Sequence, residues 1–135
     1  MINNLRFELS FKNIAQLENK LNFCKFNGIN NINIPCKGLI KKDLYNSTIN
    51  FISKNFQEFN VTYHYSLYHQ YSKNKKNSYQ NFLEFIRNAN SKKSYEVLLV
   101  SGSNKKKNFD AINVLNNVKK EKNLNFKLGI AIIHI

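Results

Sequence analysis

The sequence predicts an α/β fold in which five parallel strands alternate with four helices. Short runs of β-branched, aromatic and aliphatic residues alternate with segments whose apolar residues recur at helical spacing. Residues 95–100 are almost continuously apolar or aromatic, and the turn at residues 101–103 then ends the run. A run of this kind predicts a strand buried on both faces, and strict alternation predicts right-handed crossovers within one sheet.

The amino-terminal part of the chain predicts a strand, a helix and a second strand. Residues 5–10 alternate apolar and polar side chains, which is typical of a strand. Residues 13–27 carry apolar side chains at helical spacing, and Gly28 is a natural helix end. Residues 29–34 form the second predicted strand, which ends at Pro35 because proline has no N–H to donate to a sheet.

The middle of the chain repeats this pattern. Asp43 is expected to cap a second helix that continues to Phe56. Residues 59–65 are β-branched and aromatic, so they predict a third strand. The polar residues 70–77 predict a loop, after which Ser78 is expected to cap the third helix.

A fourth helix and a fifth strand follow the apolar strand at residues 95–100. We expect either Asn104 or Asn108 to cap this helix. The residues expected on its apolar face, spaced three apart, are Phe109, Ile112, Leu115 and Val118. Residues 126–133 form the fifth predicted strand. No linker divides the chain, so residues 1–135 are expected to form a single domain.

The composition argues against membrane, secreted and metal-binding classes. The chain has no apolar run of the roughly 18 residues that a membrane span needs, and its first residues lack the apolar core of a secretory signal. We therefore expect a soluble, intracellular protein with no membrane partner. Cys24 and Cys36 are expected to be free or buried thiols, and the spacing of cysteines and histidines predicts no metal site.

The net charge of +13 leaves nucleic-acid binding open as an alternative function, because clustered lysines neutralise phosphates. We favour a solvated surface instead, since no single stretch concentrates the charge and the arginines are only Arg6 and Arg87. Stacking on a flavin or a base is one interpretation of a set of tyrosines, although half-buried packing in the strand is favoured. These residues are Tyr63, Tyr65, Tyr68 and Tyr71. RNA is therefore a less expected partner than a small molecule.

Polar side chains occur where the predicted strands end, and ligands bind at the carboxyl ends of parallel strands. Glu8 in the first strand is suited to general acid catalysis, or else faces solvent. His64 and Ser66 end the third strand, although a strand histidine is more often a hydrogen-bonded interior residue than a ligand contact. The turn at residues 101–103 resembles a phosphate-accepting turn, and a plain strand-to-helix connection is equally compatible with it.

Four stretches together resemble the methylenetetrahydrofolate reductase-like family, and most closely its small eukaryotic branch. They are Phe-Glu-Leu at 7–9, Ile-Asn-Ile-Pro followed by Lys-Gly at 32–38, Val-Thr-Tyr-His-Tyr-Ser-Leu at 61–67 and Glu-Val-Leu-Leu-Val-Ser-Gly-Ser at 96–103. Residues 109–115 and 128–131 extend the similarity, which covers nearly the whole chain.

The resemblance implies a flavin-binding (β/α)8 barrel of the TIM type, of which this chain is expected to form a partial barrel. It implies an FAD-dependent oxidoreductase that reduces methylenetetrahydrofolate, with NAD(P)H as the electron donor. A folate-type small molecule is the substrate that the resemblance implies.

The resemblance also assigns site residues. Glu8 corresponds to the catalytic glutamate that assists protonation of the folate. His64 and Ser66 correspond to FAD contacts after the third strand. Ser101, Gly102 and Ser103 correspond to the turn after the fourth strand, which approaches the flavin.

The chain departs from the catalytic members of that family at two places and in length. Those members carry Arg-Gly-Asp at the 101–103 turn, so Ser103 stands in place of an acid, and their tyrosine-proline pair is absent near His134. Five strands also leave an eight-stranded barrel open. We expect either a shortened gene product or a homo- or hetero-oligomer that covers the open strand edges. A non-catalytic scaffold subunit that completes its sheet with a partner is a third candidate function.

Overall fold

The computed structural model describes residues 5–36, 42–92, 96–101, 109–122, 124 and 127–131. Within them, five strands alternate with four helices, which confirms the predicted order of elements. The elements are β1 (Phe7–Glu8), α1 (Ile14–Phe26), β2 (Asn31–Ile34), α2 (Lys42–Asn55), β3 (Asn60–Ser66), α3 (Lys75–Ser91), β4 (Glu96–Val100), α4 (Ala111–Val118) and β5 (Lys127–Ala131).

All five strands are parallel and lie in the order β1-β2-β3-β4-β5. The order never reverses, as in the wall of a (β/α)8 barrel and unlike a doubly wound sheet. Right-handed crossovers between strands added in one direction place every helix on the same side of the sheet. We call the side covered by the helices the outer face and the opposite side the inner face. The fold is therefore that of a partial (β/α)8-type α/β unit.

Burial along the strands follows this division. Val97 and Leu99 of β4 are buried beneath the helices, whereas Leu98 and Val100 between them are only half-buried. The prediction that this strand is buried on both faces is therefore wrong. Its apolar side chains are continuous in sequence because the inner face also carries apolar residues at this strand, not because helices cover both faces.

The core lies between the outer face and the helices and is rich in aromatic rings. Tyr65 of β3 packs against Phe82 and Phe85 of α3, with ring centroids 4.9 and 4.8 Å away. The Tyr45 ring of α2 meets Phe85 edge-on at 4.8 Å, and its hydroxyl donates to the main-chain oxygen of His64. Burial raises the pKa of both tyrosine hydroxyls, so the rings pack as neutral groups.

Asparagine and aspartate begin three of the helices. Asn13, Asn74 and Asp110 each accept a hydrogen bond of 2.9 Å from the main-chain N–H three residues later. The predicted cap of α3 was wrong, because the helix begins before Ser78 and the Ser78 hydroxyl is buried, donating to the Asn74 main-chain oxygen. At the other end of α1, Gly28 has a φ of +68°, as expected for the residue that ends a helix.

Two further boundaries differ from the prediction. Asp43 lies inside the first turn of α2 rather than before it. The cap of α4 is Asp110, whereas the predicted caps Asn104 and Asn108 lie outside the described residues. The buried face of this helix consists of Ala111, Val114 and Val118, and Ile112 is 62% exposed although it was expected to face the core.

No helix in the described part of the chain is long and apolar enough to cross a membrane.

The unequal faces of the sheet predict unequal costs for neighbouring leucines. Leu99→Ala removes a fully buried side chain, so we expect a loss of about 3 kcal/mol in the free energy of unfolding. The matched variant Leu98→Ala truncates a half-buried side chain on the inner face and should cost about 1 kcal/mol. Urea unfolding followed by circular dichroism measures both, and equal losses would show that the inner face is covered.

Candidate site on the inner face of the sheet

A row of polar side chains crosses the inner face, near the amino ends of β3, β4 and β5 and in the carboxyl-terminal half of the shorter β1 and β2. The register pairs Glu8 with Asn33, Asn33 with Thr62, Thr62 with Glu96 and Glu96 with Lys127, so one residue comes from each strand. We call these five residues the polar row. Because every second strand residue points to the same face, the row marks one level of the inner face.

Arg6, which precedes β1, ties this level together. One guanidinium nitrogen donates to the Glu96 carboxylate at 3.0 Å, and the other lies 3.2 Å from the main-chain oxygen of Ile32. Thr62 donates to the same Glu96 oxygen at 2.7 Å. A single arginine therefore connects the beginning of β1 with β2 and β4 across the inner face.

His64 lies on the inner face at the next level toward the carboxyl ends of the strands. Its Nε2 atom is buried and has no hydrogen-bond partner among the described residues. Desolvation lowers the pKa of the imidazole below its usual 6.5, and the charge of Glu8 partly opposes this shift. The ring is therefore held neutral at physiological pH, and it lies close enough to Glu8 to sense that charge.

Small and apolar residues surround His64 on this half of the inner face. The register places Leu98 and then Gly129 beside His64, and Val100 and Ala131 beside Ser66 at the following level. At Gly129 an added Cβ would lie 3.2 Å from the Leu98 side chain, so the leucine leans over the glycine. The result is an apolar floor, which we define as Leu98, Val100, Gly129 and Ala131.

Two of the three predicted hydroxyl contacts, Ser66 and Ser101, are already engaged within the protein. Ser66 Oγ lies 2.8 Å from His69 Nδ1 and also accepts the His69 main-chain N–H at 3.3 Å. Ser101 Oγ accepts the main-chain N–H of Ala111 at 2.9 Å and so helps to start α4. Gly102 and Ser103 lie outside the described residues. Of the predicted cofactor contacts that are described, His64 alone has a buried polar atom without a partner in the described part of the chain.

The tyrosines of β3 belong to the other side of the sheet. Tyr63 and Tyr65 are buried on the outer face, so they cannot stack on a ligand bound to the inner face. A cavity of about 260 Å³ lies on the outer side, between α2 and α3. Among its lining residues are Tyr45, Tyr65 and Phe85, and it is separated from Glu8 and His64 by the sheet.

Sequence reasoning missed the Arg6–Glu96–Thr62 network. A signal for a polar inner face was the alternation Asn-Ile-Asn-Ile in residues 31–34, which predicts one polar and one apolar face for β2.

Both Cys24 and Cys36 are buried and free, as expected. In the ranges that the structure describes, no group of three or more metal-ligating side chains is placed to hold an ion.

The electrostatic contact between Glu8 and His64 gives a titration test. We expect Glu8→Gln to lower the pKa of His64 further, because it removes the charge that opposes desolvation. Proton NMR titration of the imidazole signals measures this, with the natural sequence as the reference. Because the pKa of His64 is lowered in the folded protein, the unfolded chain binds this proton more tightly than the folded chain does. The free energy of unfolding therefore falls as the pH drops below about 6.5. An unchanged or raised His64 pKa in Glu8→Gln would show that the two side chains do not interact.

No family model, curated protein or solved structure matches this chain.

Proposed function

We propose that this chain is a divergent, flavin-binding member of the methylenetetrahydrofolate reductase-like family and that it takes FAD on the apolar floor of the inner face. The observation that carries the proposal is His64, whose Nε2 is buried without a partner in the described structure beside that floor. An unpaired buried polar atom costs about 1–3 kcal/mol, and a polar group of a ligand would remove this cost.

The floor and the histidine suit a flavin ring in complementary ways. A flavin is flat, largely apolar on its faces and polar at its edges, and when bound it supplies two-electron transfer chemistry. The half-buried side chains of Leu98 and Val100 offer apolar contacts to a ring face. Gly129 beside Leu98 adds no side chain of its own. The neutral His64 ring is able to donate or accept a hydrogen bond at a ring edge.

Glu8 is the acid that we expect to act on a substrate bound next to the flavin ring. It is exposed, it lies in the polar row one level below His64, and its charge is felt by that histidine. By the family resemblance it would hold and transfer a proton to a folate-type substrate reduced with electrons from NAD(P)H. Solvent exposure allows the carboxyl group to exchange its proton with water between turnovers.

The 101–103 turn favours binding over rapid turnover. Where catalytic relatives carry an acid, this chain has Ser103, and a hydroxyl does not supply a carboxylate's charge. Ser101 Oγ is engaged by the N–H of Ala111. We therefore propose flavin binding as the primary activity, with reductase turnover weaker than in relatives that retain the acid.

Flavin binding is tested by titrating the purified protein with FAD and following the quenching of flavin fluorescence. We expect saturable binding that His64→Gln weakens by about fivefold, because one hydrogen bond is worth about 1 kcal/mol and a tenfold change corresponds to about 1.4 kcal/mol. The control Asn22→Gln changes an exposed side chain of α1, away from the inner face, and should leave the Kd unchanged. Absence of FAD binding by the natural sequence would end the proposal, and equal effects of the two variants would remove His64 from the site.

A further inference from the structure

A wide groove of about 900 Å³ opens where the strands begin, at the edge opposite to the proposed flavin site. The carboxyl-terminal ends of α2 and α3 form one side, and the first residues of β3, β4 and β5 form the other. Its charged and polar lining residues include Lys54, Lys92, Lys127, Asn50, Gln57 and Glu96. We call it the amino-edge groove. Nothing in the proposed flavin chemistry uses it.

The acidic residues at this edge are each neutralised by a basic residue of the chain. Glu96 is bound by the Arg6 guanidinium at 3.0 Å. Glu58, in the connection between α2 and β3, lies 2.7 Å from the Lys25 ammonium group, and this hydrogen bond lowers the pKa of the Glu58 carboxyl. Neither carboxylate is therefore available to balance further lysines in the groove.

Three lysines that line the groove form no ion pair with a carboxylate in the described part of the chain. Lys54, Lys92 and Lys127 are all exposed, and none forms an ion pair with any residue in the described ranges. A helix C-terminus favours basic residues, which accounts for Lys54 in the last turn of α2 and for Lys92 at the end of α3. That explanation does not apply to Lys127, the first residue of β5.

The geometry of the groove selects among anionic ligands. A single tightly held phosphate is typically bound by main-chain N–H groups at a helix N-terminus. Here α2 and α3 present their carboxyl ends, so the donors are the lysines and the side-chain amides of Asn50 and Gln57. Separated point charges along an open groove suit a chain of phosphates better than one compact phosphate group.

We propose that the amino-edge groove binds the phosphodiester backbone of single-stranded RNA. The overall charge of +13 draws a polyanion toward the protein, and the three lysines, which form no ion pair with a described residue, give it a defined place to bind. Phe56 and Phe59, which also line the amino-edge groove, are buried, so they offer no exposed face for base stacking. Binding is therefore directed at the backbone and has little sequence preference.

The test is fluorescence anisotropy of a labelled oligouridine of about 12 nucleotides, titrated with the full chain at several salt concentrations. The variant Lys54→Gln, Lys92→Gln and Lys127→Gln removes three charges from the groove. We expect it to weaken binding about tenfold or more near 0.1 M salt and to reduce the slope of log K against log salt by about 2.

The matched control removes the same number of charges at the opposite edge. Lys12, Lys75 and Lys76 lie at the beginnings of α1 and α3, so their combined change to Gln leaves the groove intact. Circular dichroism verifies that both variants are folded. The proposal requires the control to retain nearly the natural affinity and slope.

Three outcomes would overturn the proposal. Equal losses in the two triple variants would mean that the chain attracts RNA by diffuse charge without using the groove. No binding of the oligouridine by the natural sequence at low salt would remove RNA as a partner. Saturable binding of pyrophosphate, with no binding of RNA, would identify a site for small phosphate compounds instead.

Discussion

The order of the strands is the constraint on which the rest of the molecule depends. Because each new strand is added on the same side of the previous one, right-handed crossovers place all helices on one face of the sheet. Tyr63 and Leu99 are consequently buried, while Thr62 and Leu98, their neighbours in sequence, face the uncovered side. No helix of the described chain covers the inner face, so its side chains are open to solvent or to a ligand.

The inner face is divided along the strands, and the division matches the two proposed activities. Near the amino ends, Arg6 and Thr62 both bond to Glu96, which ties β1 to β4 and fills that level with polar groups. Toward the carboxyl ends, His64 lies beside the apolar surface of Leu98 and Gly129, and its buried Nε2 has no hydrogen-bond partner among the described residues. We propose a planar ligand for the second region and an anionic chain for the basic groove below the first.

The order of elements could be predicted from the sequence because hydrophobic periodicity is a local property, which most of the helices and strands show. Helix starts were less predictable, since Asn74 and Ser78 are both good caps and only the buried position of Ser78 distinguishes them. The exposure of Ile112 and the half-exposure of Leu98 depend on which face the helices cover, which no local pattern encodes. Glu8 and His64 were predicted as site residues. The ion pair between Arg6 and Glu96 was not predicted, because it joins residues far apart in the chain.

Methyl NMR during FAD titration tests the central claim, that the uncovered face of the sheet is the ligand-binding face. Alternate residues of β4 make the comparison within a single strand. Binding at the proposed site predicts shifts and intermolecular contacts for the methyl groups of Leu98, Val100 and Ala131, with Val97 and Leu99 nearly unaffected. Changes confined to Val97 and Leu99, or equal changes on both faces, would contradict the account.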